Sequence, residues 1–198
     1  PLGRLADLHG RKRFFFWGSI IVGLSSLACN FSPNEAVFIA LRVVQGAGSA
    51  MIFSTGTAML ISAYPPHRRG MVLGINVAAV YVGLTVGPFI GGIIVEHLGW
   101  RAIFEINASL GGLAAGLCFF MDREKPTPQN GEYFDLPGSF LYALALFSLM
   151  YGFSTLPHLT GALLVGCGMI CFFFFIRRQL GIDFPLIDVR LFSDNRVF

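Results

Sequence analysis

The sequence predicts an all-α integral membrane protein with six transmembrane helices. Three observations carry that prediction. Charged residues make up only 13% of the 198 residues, about half the ~25% typical of a soluble domain. Hydrophobic residues make up 55% and mean hydropathy is +0.68, too apolar for so few charges to keep in water. Third, the apolar residues are gathered into six long runs rather than dispersed. The same numbers exclude other classes. High apolar content at a net charge of +3 excludes disorder, and four cysteines are too few for a disulfide-stapled secreted domain.

A helix needs about 20 apolar residues to cross a hydrocarbon core of roughly 30 Å. The runs are 14–31, 36–63, 71–95, 102–121, 136–156 and 159–176. They lack the alternation of a barrel strand, so helices are expected. Connectors are short, which makes consecutive helices antiparallel neighbours. Cys29, Cys118, Cys167 and Cys171 all lie in these runs, none in a CxxC pair, and read as buried free thiols.

Lysine and arginine orient the spans. Twelve of the fourteen basic residues fall in the first, third and fifth connecting segments and the tail. The alternate connectors hold Arg101 alone, and Arg42 lies inside a span. The basic side is therefore expected to be cytoplasmic, with both ends of the sequence there. The chain opens on Pro1 and closes on what looks like the entry to another apolar segment, so it reads as an internal piece of a longer polypeptide. Anionic lipid headgroups account for the basic loops without a nucleic-acid partner.

Within the first span, Gly23-Leu24-Ser25-Ser26 resembles a serine-nucleophile turn in pattern only. The second span holds the main anomaly. Arg42 sits two turns in, at a cost of roughly 2.5–3.5 kcal/mol if near the bilayer centre. Gln45 and Ser49 follow at i+3 and i+7, with Gly46 near the same stripe. This polar seam faces a bundle interior or a watery cavity, or Arg42 is a structural charge capping neighbouring carbonyls. In the third span, Gly83, Gly87 and Gly91 recur every four residues, Pro88 removes the bond to Leu84, and Gly92 loosens the same turn. A kinked, closely packed helix in mid-bundle is expected, either for transport or for helix packing alone. At the fourth span, Arg101 and Glu105 are spaced for an i,i+4 pair, and with Trp100 and Asn107 they read as an interface anchor. At the fifth, Asp135 before Pro137 reads as a helix cap. The tail from Pro185 to Phe192 could lie as an amphipathic piece in the headgroup region. No H-E-x-x-H and no G-x-x-x-x-G-K-[ST] occurs, and no buried nucleophile–base pair suggests an enzyme.

Three of these segments resemble motifs of the major facilitator superfamily. Gly3-Arg4-Leu5-Ala6-Asp7-Leu8-His9-Gly10-Arg11-Lys12-Arg13 resembles its motif A. Leu41-Arg42-Val43-Val44-Gln45-Gly46-Ala47-Gly48 resembles motif B, and Gly83-x-x-x-Gly87-Pro88-x-x-Gly91-Gly92 resembles the antiporter motif C. Trp100-Arg101 with Ile103 to Asn107, and Pro185 to Arg196, are similar to loops of the fourteen-span drug:proton antiporters of the EmrB/QacA type. The short stretch 122–135 before another pair of spans favours that branch, of which the chain resembles the third to eighth helices.

The resemblance implies three regions. Residues 1–121 would be four spans of the N-terminal bundle with a cytoplasmic gating loop at 1–13, 122–178 a central extra helix pair, and 179–198 an amphipathic loop leading to a next span. Asp7, Arg11 and Lys12 would belong to the gate, with Gly3 and Gly10 allowing its tight turns. Leu8 departs from the family's Arg or Lys, so one basic contact is missing or supplied by Arg4. Arg42 would be the cation of proton coupling, Gln45 its polar neighbour and Ser49 part of the cavity. Its acidic partner would lie on the family's first helix, outside this sequence. The implied protein is a secondary transporter of the cytoplasmic membrane. It would export lipophilic or cationic drugs by alternating access, with the proton gradient as its energy source and no cofactor or metal. The same fold could instead carry a lipid, siderophore or metabolite, or serve as a non-transporting sensor or scaffold. Passage across a second membrane would need an adaptor and an outer-membrane channel, on which these residues are silent.

Overall fold

The computed structural model describes residues 2–121 and 134–182. Its helices are α1 (Leu2–His9), α2 (Arg11–Asn30), α3 (Glu35–Ser62), α4 (Arg69–Leu98), α5 (Arg101–Phe120), α6 (Leu136–Ser154) and α7 (Leu159–Leu180), with a 3₁₀ turn at Pro66–Arg68 before α4. The chain divides into two compact units, Leu2–Thr127 and Pro128–Phe198. The amphipathic segment expected at 185–192 lies outside the described residues.

The six long helices correspond to the six apolar runs. Five of them, α3 to α7, are long and apolar enough to cross a membrane, α4 counted with the 3₁₀ turn before it. The sixth, α2, has 20 residues but opens on Arg11, Lys12 and Arg13, and serines and glycines dilute its apolar run.

In the first unit α2 lies between α3 and α5. Its buried residues are small: Gly18, Ser19, Gly23, Ser25, Ser26 and Cys29. A Cβ on Gly18 would lie 2.9 Å from the carbonyl oxygen of Gly48 on α3, and one on Gly111 of α5 would lie 2.9 Å from the Cα of Gly23. Backbones therefore touch at both crossings, the arrangement that small residues permit where lipid removes the hydrophobic drive between helices. The buried hydroxyls of Ser19, Ser25 and Thr55 return to their own helix. Ser19 Oγ donates to Phe15 O at 2.9 Å, and Thr55 Oγ1 to Met51 O at 2.6 Å. This satisfies each donor without a neighbour. Large apolar side chains such as Leu24, Phe53 and Phe89 point outward.

Two expectations change here. The stretch read as a gating loop is helical: Leu2–His9 form α1, and only Gly10 breaks it, at φ +99°. Gly3 makes no turn; it lies inside α1, where an added Cβ would meet Ser54 of α3 at an ordinary 3.6 Å. The left-handed φ at Gly10 is reachable without strain only by glycine, and it redirects the chain into α2. Also, Cys167 is exposed and Cys171 half-buried, while Cys29 and Cys118 are buried as expected.

In the second unit α6 and α7 form an antiparallel hairpin. Gly152 and Gly161 let its two helices touch: a Cβ on Gly161 would lie 2.9 Å from Gly152 O. Asp135 caps α6 as the sequence indicated, accepting from Gly138 N at 3.0 Å.

Candidate functional site

The polar seam on α3 faces α2 and α5. Arg42 Nη1 donates to Gln45 Oε1 at 2.5 Å, and Gln45 Nε2 donates to Ser26 Oγ on α2. Ser26 is fully buried and Gln45 is 6% exposed, so a buried relay ends on a guanidinium that is itself open. The Arg42 guanidinium carbon stands 5.9 Å from the Phe104 ring centroid, within cation–π range. Phe104 packs edge-on against Phe38 at 5.6 Å and Trp100 at 5.9 Å. Trp100, expected as an interface anchor, thus helps to back the ring under Arg42.

A cavity of about 230 Å³ opens beside the seam, lined by Val22, Arg42, Gln45, Gly46, Ser49 and Asn107. Arg42, Gln45 and Ser49 converge as their helical spacing required. Asn107 and Ser26 were not foreseen as members: one was read as part of an interface anchor, the other as a pattern without a base. Nothing in their local sequence pairs them with α3, since the meeting depends on how the helices cross. Among the described residues no carboxylate lies within ion-pair range of Arg42, and no group of three His, Cys, Asp or Glu could hold a metal. The cavity can bind and orient a polar group, and it holds no pair of side chains for covalent chemistry.

Below this site, motif A forms a compact joint. Asp7 and Arg11 pair across the Gly10 break at 2.6 Å. Lys12 Nζ reaches the last carbonyls of α5, bonding Phe119 O at 3.4 Å and also Met121 O. A cation at a helix C-terminus answers the unsatisfied carbonyls and the negative end of the dipole.

The family model described as Major Facilitator Superfamily matches residues 1–192. The chain belongs to the major facilitator superfamily. It is 31% identical over 96% of its length to multidrug resistance protein Stp of Mycobacterium tuberculosis, covering 36% of that protein. It is 31% identical over 99% of its length to riboflavin transporter RibZ of Clostridioides difficile, covering 42%, and 33% identical over 98% to methyl viologen resistance protein SmvA of Salmonella typhimurium, covering 40%. The chain thus spans about two-fifths of the length of the curated relatives it matches. Membership makes it a multi-pass membrane protein of a transporter family.

Other superfamily positions stand differently. Gly83, Gly87, Gly91 and Gly92 lie on α4, and a Cβ at any of them would meet nothing within 4 Å. Pro88 lies inside the same continuous helix, whose one buried residue is Val72. The close packing expected of this ladder is therefore absent from the described residues, and in the first unit the glycines at the close helix crossings are Gly18, Gly23, Gly48 and Gly111.

The expected Arg101–Glu105 pair also does not form. Arg101 stacks on Trp100 at 4.5 Å and donates to Asn30 O at 3.3 Å. Glu105 accepts from Asn30 Nδ2 at 2.9 Å. The C-terminus of α2 comes between the two charges and takes a bond from one while giving one to the other.

The cap at Asp135 is more than a cap. Its carboxylate accepts from Arg178 Nη2 at 3.0 Å and from Gln179 Nε2 at 3.0 Å, both at the far end of α7. Burial pushes this carboxyl up, but the Arg178 guanidinium, the Gly138 N–H and Gln179 together outweigh it and hold it below the usual carboxylate value.

Proposed function

We propose that the chain is part of a proton-coupled antiporter of the fourteen-span drug:proton type, exporting lipophilic and often cationic compounds across the cytoplasmic membrane. The observation that carries this reading is the guanidinium of Arg42, fixed by Gln45 and backed by Phe104 at the edge of a cavity within the helix bundle. A charge within an apolar span has a functional role by default. Relatives named for multidrug and methyl viologen resistance support drug export. The short connection between α5 and α6 supports the fourteen-span branch, and the skewed distribution of basic residues supports a cytoplasmic basic side.

Alternating access would rock two bundles about a midplane site. The drive is roughly 2.3 kcal/mol per charge per 100 mV, or about fifty-fold in concentration. Asp7, Arg11 and Lys12 would steady the cytoplasmic gate, and Gly83 to Gly92 would form the face against which the halves move. The energy source would be the proton gradient, without a cofactor. The partners would be protons, the substrate and the bilayer. A second reading, export of a metabolite by the same machine, draws on the relative named as a riboflavin transporter.

The test uses inverted vesicles carrying the intact transporter, acidified inside and challenged with a panel of lipophilic cations. Several unrelated cations should release protons, and Arg42→Ala should abolish that release while leaving membrane insertion intact. Release that survives Arg42→Ala unchanged removes Arg42 from the coupling. No release with any cation, from a folded and inserted protein, removes the drug reading and turns the search to metabolite cargo.

A further inference from the structure

The relay behind Arg42 has a directional requirement. A glutamine amide has one end that accepts and one that donates, of nearly equal size. Arg42 is donor-only, so Gln45 serves it only with Oε1 turned toward the guanidinium. The backbone of α3 does not decide which end faces Arg42, since both arise from the same side chain by a half-turn. Arg42 itself selects that end, which leaves the amide's donor end in need of a partner of its own. Gln45 Nε2 donates to Ser26 Oγ on α2, and that oxygen is fully buried, where no water can replace it.

We infer that Ser26 is a positioning residue for Arg42: its hydroxyl anchors the far end of the Gln45 amide and so keeps Oε1 on the guanidinium. This inference rests on the transport reading of Arg42 for its functional consequence, and on the three-residue geometry alone for its structural content. Ser26 does not line the cavity, so it acts through Gln45 and touches no substrate. The small residues beside it make the reach feasible. Gly18 and Gly48 bring α2 and α3 into backbone contact, which places a short serine side chain within bonding distance of a glutamine on the facing helix.

Removing the hydroxyl leaves the amide's donor end buried and unanswered, and the side chain gains by swinging toward the cavity that Gln45 lines, where water can answer it. Its Oε1 then leaves the guanidinium, and Arg42 is released. Ser26→Thr keeps the hydroxyl and should keep the anchor. Gln45→Glu has no donor end to strand and pairs with Arg42 by charge, so the effect of Ser26→Ala should vanish in that background.

Two measurements on the intact transporter test this. The first is the rate at which phenylglyoxal modifies Arg42, followed by mass spectrometry of the digested protein. Ser26→Ala should raise it by roughly ten-fold, the scale expected when a hydrogen bond to a charged group is lost. Ser26→Thr should match the parent, and where threonine's methyl prevents folding, Ser26→Ala with Gln45→Glu should match Gln45→Glu alone. Equal rates in the parent and Ser26→Ala overturn the inference. The second is ethidium-driven proton release in inverted vesicles, where Ser26→Ala should lower the maximal rate with little change in KM. If Arg42 becomes more reactive in Ser26→Ala while Arg42→Ala still couples, the positioning role stands and the transport reading of Arg42 falls. If Arg42→Ala abolishes coupling while Ser26→Ala leaves both reactivity and rate unchanged, the transport reading stands and the role of Ser26 falls.

Discussion

Gly18 and Gly48 meet backbone to backbone: a methyl group on either would stand 2.9 Å from the other's carbonyl oxygen. This contact sets the distance between α2 and α3, and so the reach of the relay from Arg42 through Gln45 to Ser26. Gly48→Ala is expected to destabilise the fold by about 1–3 kcal/mol, the usual cost of forcing atoms into a closed contact. A thermal or denaturant midpoint of the purified protein in detergent, compared with the parent, checks it. An unchanged midpoint would mean that the two helices separate without penalty.

Gly87 makes the opposite prediction. Its α4 face meets nothing within 4 Å among the described residues, so Gly87→Val should leave the amount of inserted, folded protein close to that of the parent. Under the proposed mechanism it should nonetheless block transport, because the ladder serves a moving contact rather than a static one. Efflux measured alongside surface or membrane abundance separates the two effects. Normal transport with valine at this position makes the ladder incidental.

Asp135 predicts a pH dependence. Its carboxyl is held below the ordinary value of 3.8 in the folded protein, so it binds protons less readily folded than unfolded. The stability it contributes is therefore full above that ordinary value and is lost as pH falls through the lower folded value. Asp135→Asn keeps the shape but removes the charge that Arg178 faces, at an expected cost of about 1–3 kcal/mol near neutral pH. Unfolding midpoints followed from neutral pH into the acid range should fall for the parent, while the variant should be less stable at neutral pH and flatter across the range. Parallel curves would show that the carboxylate charge contributes nothing to the hairpin.

The same residues show where sequence reasoning stops. Asp135 as a cap was legible because capping is local, three residues from donor to acceptor. Its bonds to Arg178 and Gln179 span 43 and 44 residues, and no local pattern announces them. Arg101 and Glu105 were misassigned for the converse reason. Their spacing permits a pair, but Asn30 arrives from 71 and 75 residues away and bonds both. The first thirteen residues read as a loop because they are charged and glycine-bearing, yet one positive φ at Gly10 suffices to turn the chain, and Leu2–His9 and the residues from Arg11 on are helical.

By itself the sequence determined the length and helical character of the apolar segments, and the seam of Arg42, Gln45 and Ser49. These follow from the thickness of a hydrocarbon core, the absence of water to satisfy the backbone, and the 3.6-residue turn. Only the tertiary structure decided which glycines pack, that Asn107 shares the cavity with Arg42, and that Ser26 answers Gln45. In lipid the apolar surface of a helix does not distinguish a neighbouring helix from an acyl chain. Partner choice then falls to close backbone contact and scattered polar groups, whose pairing depends on crossings between distant segments of the chain.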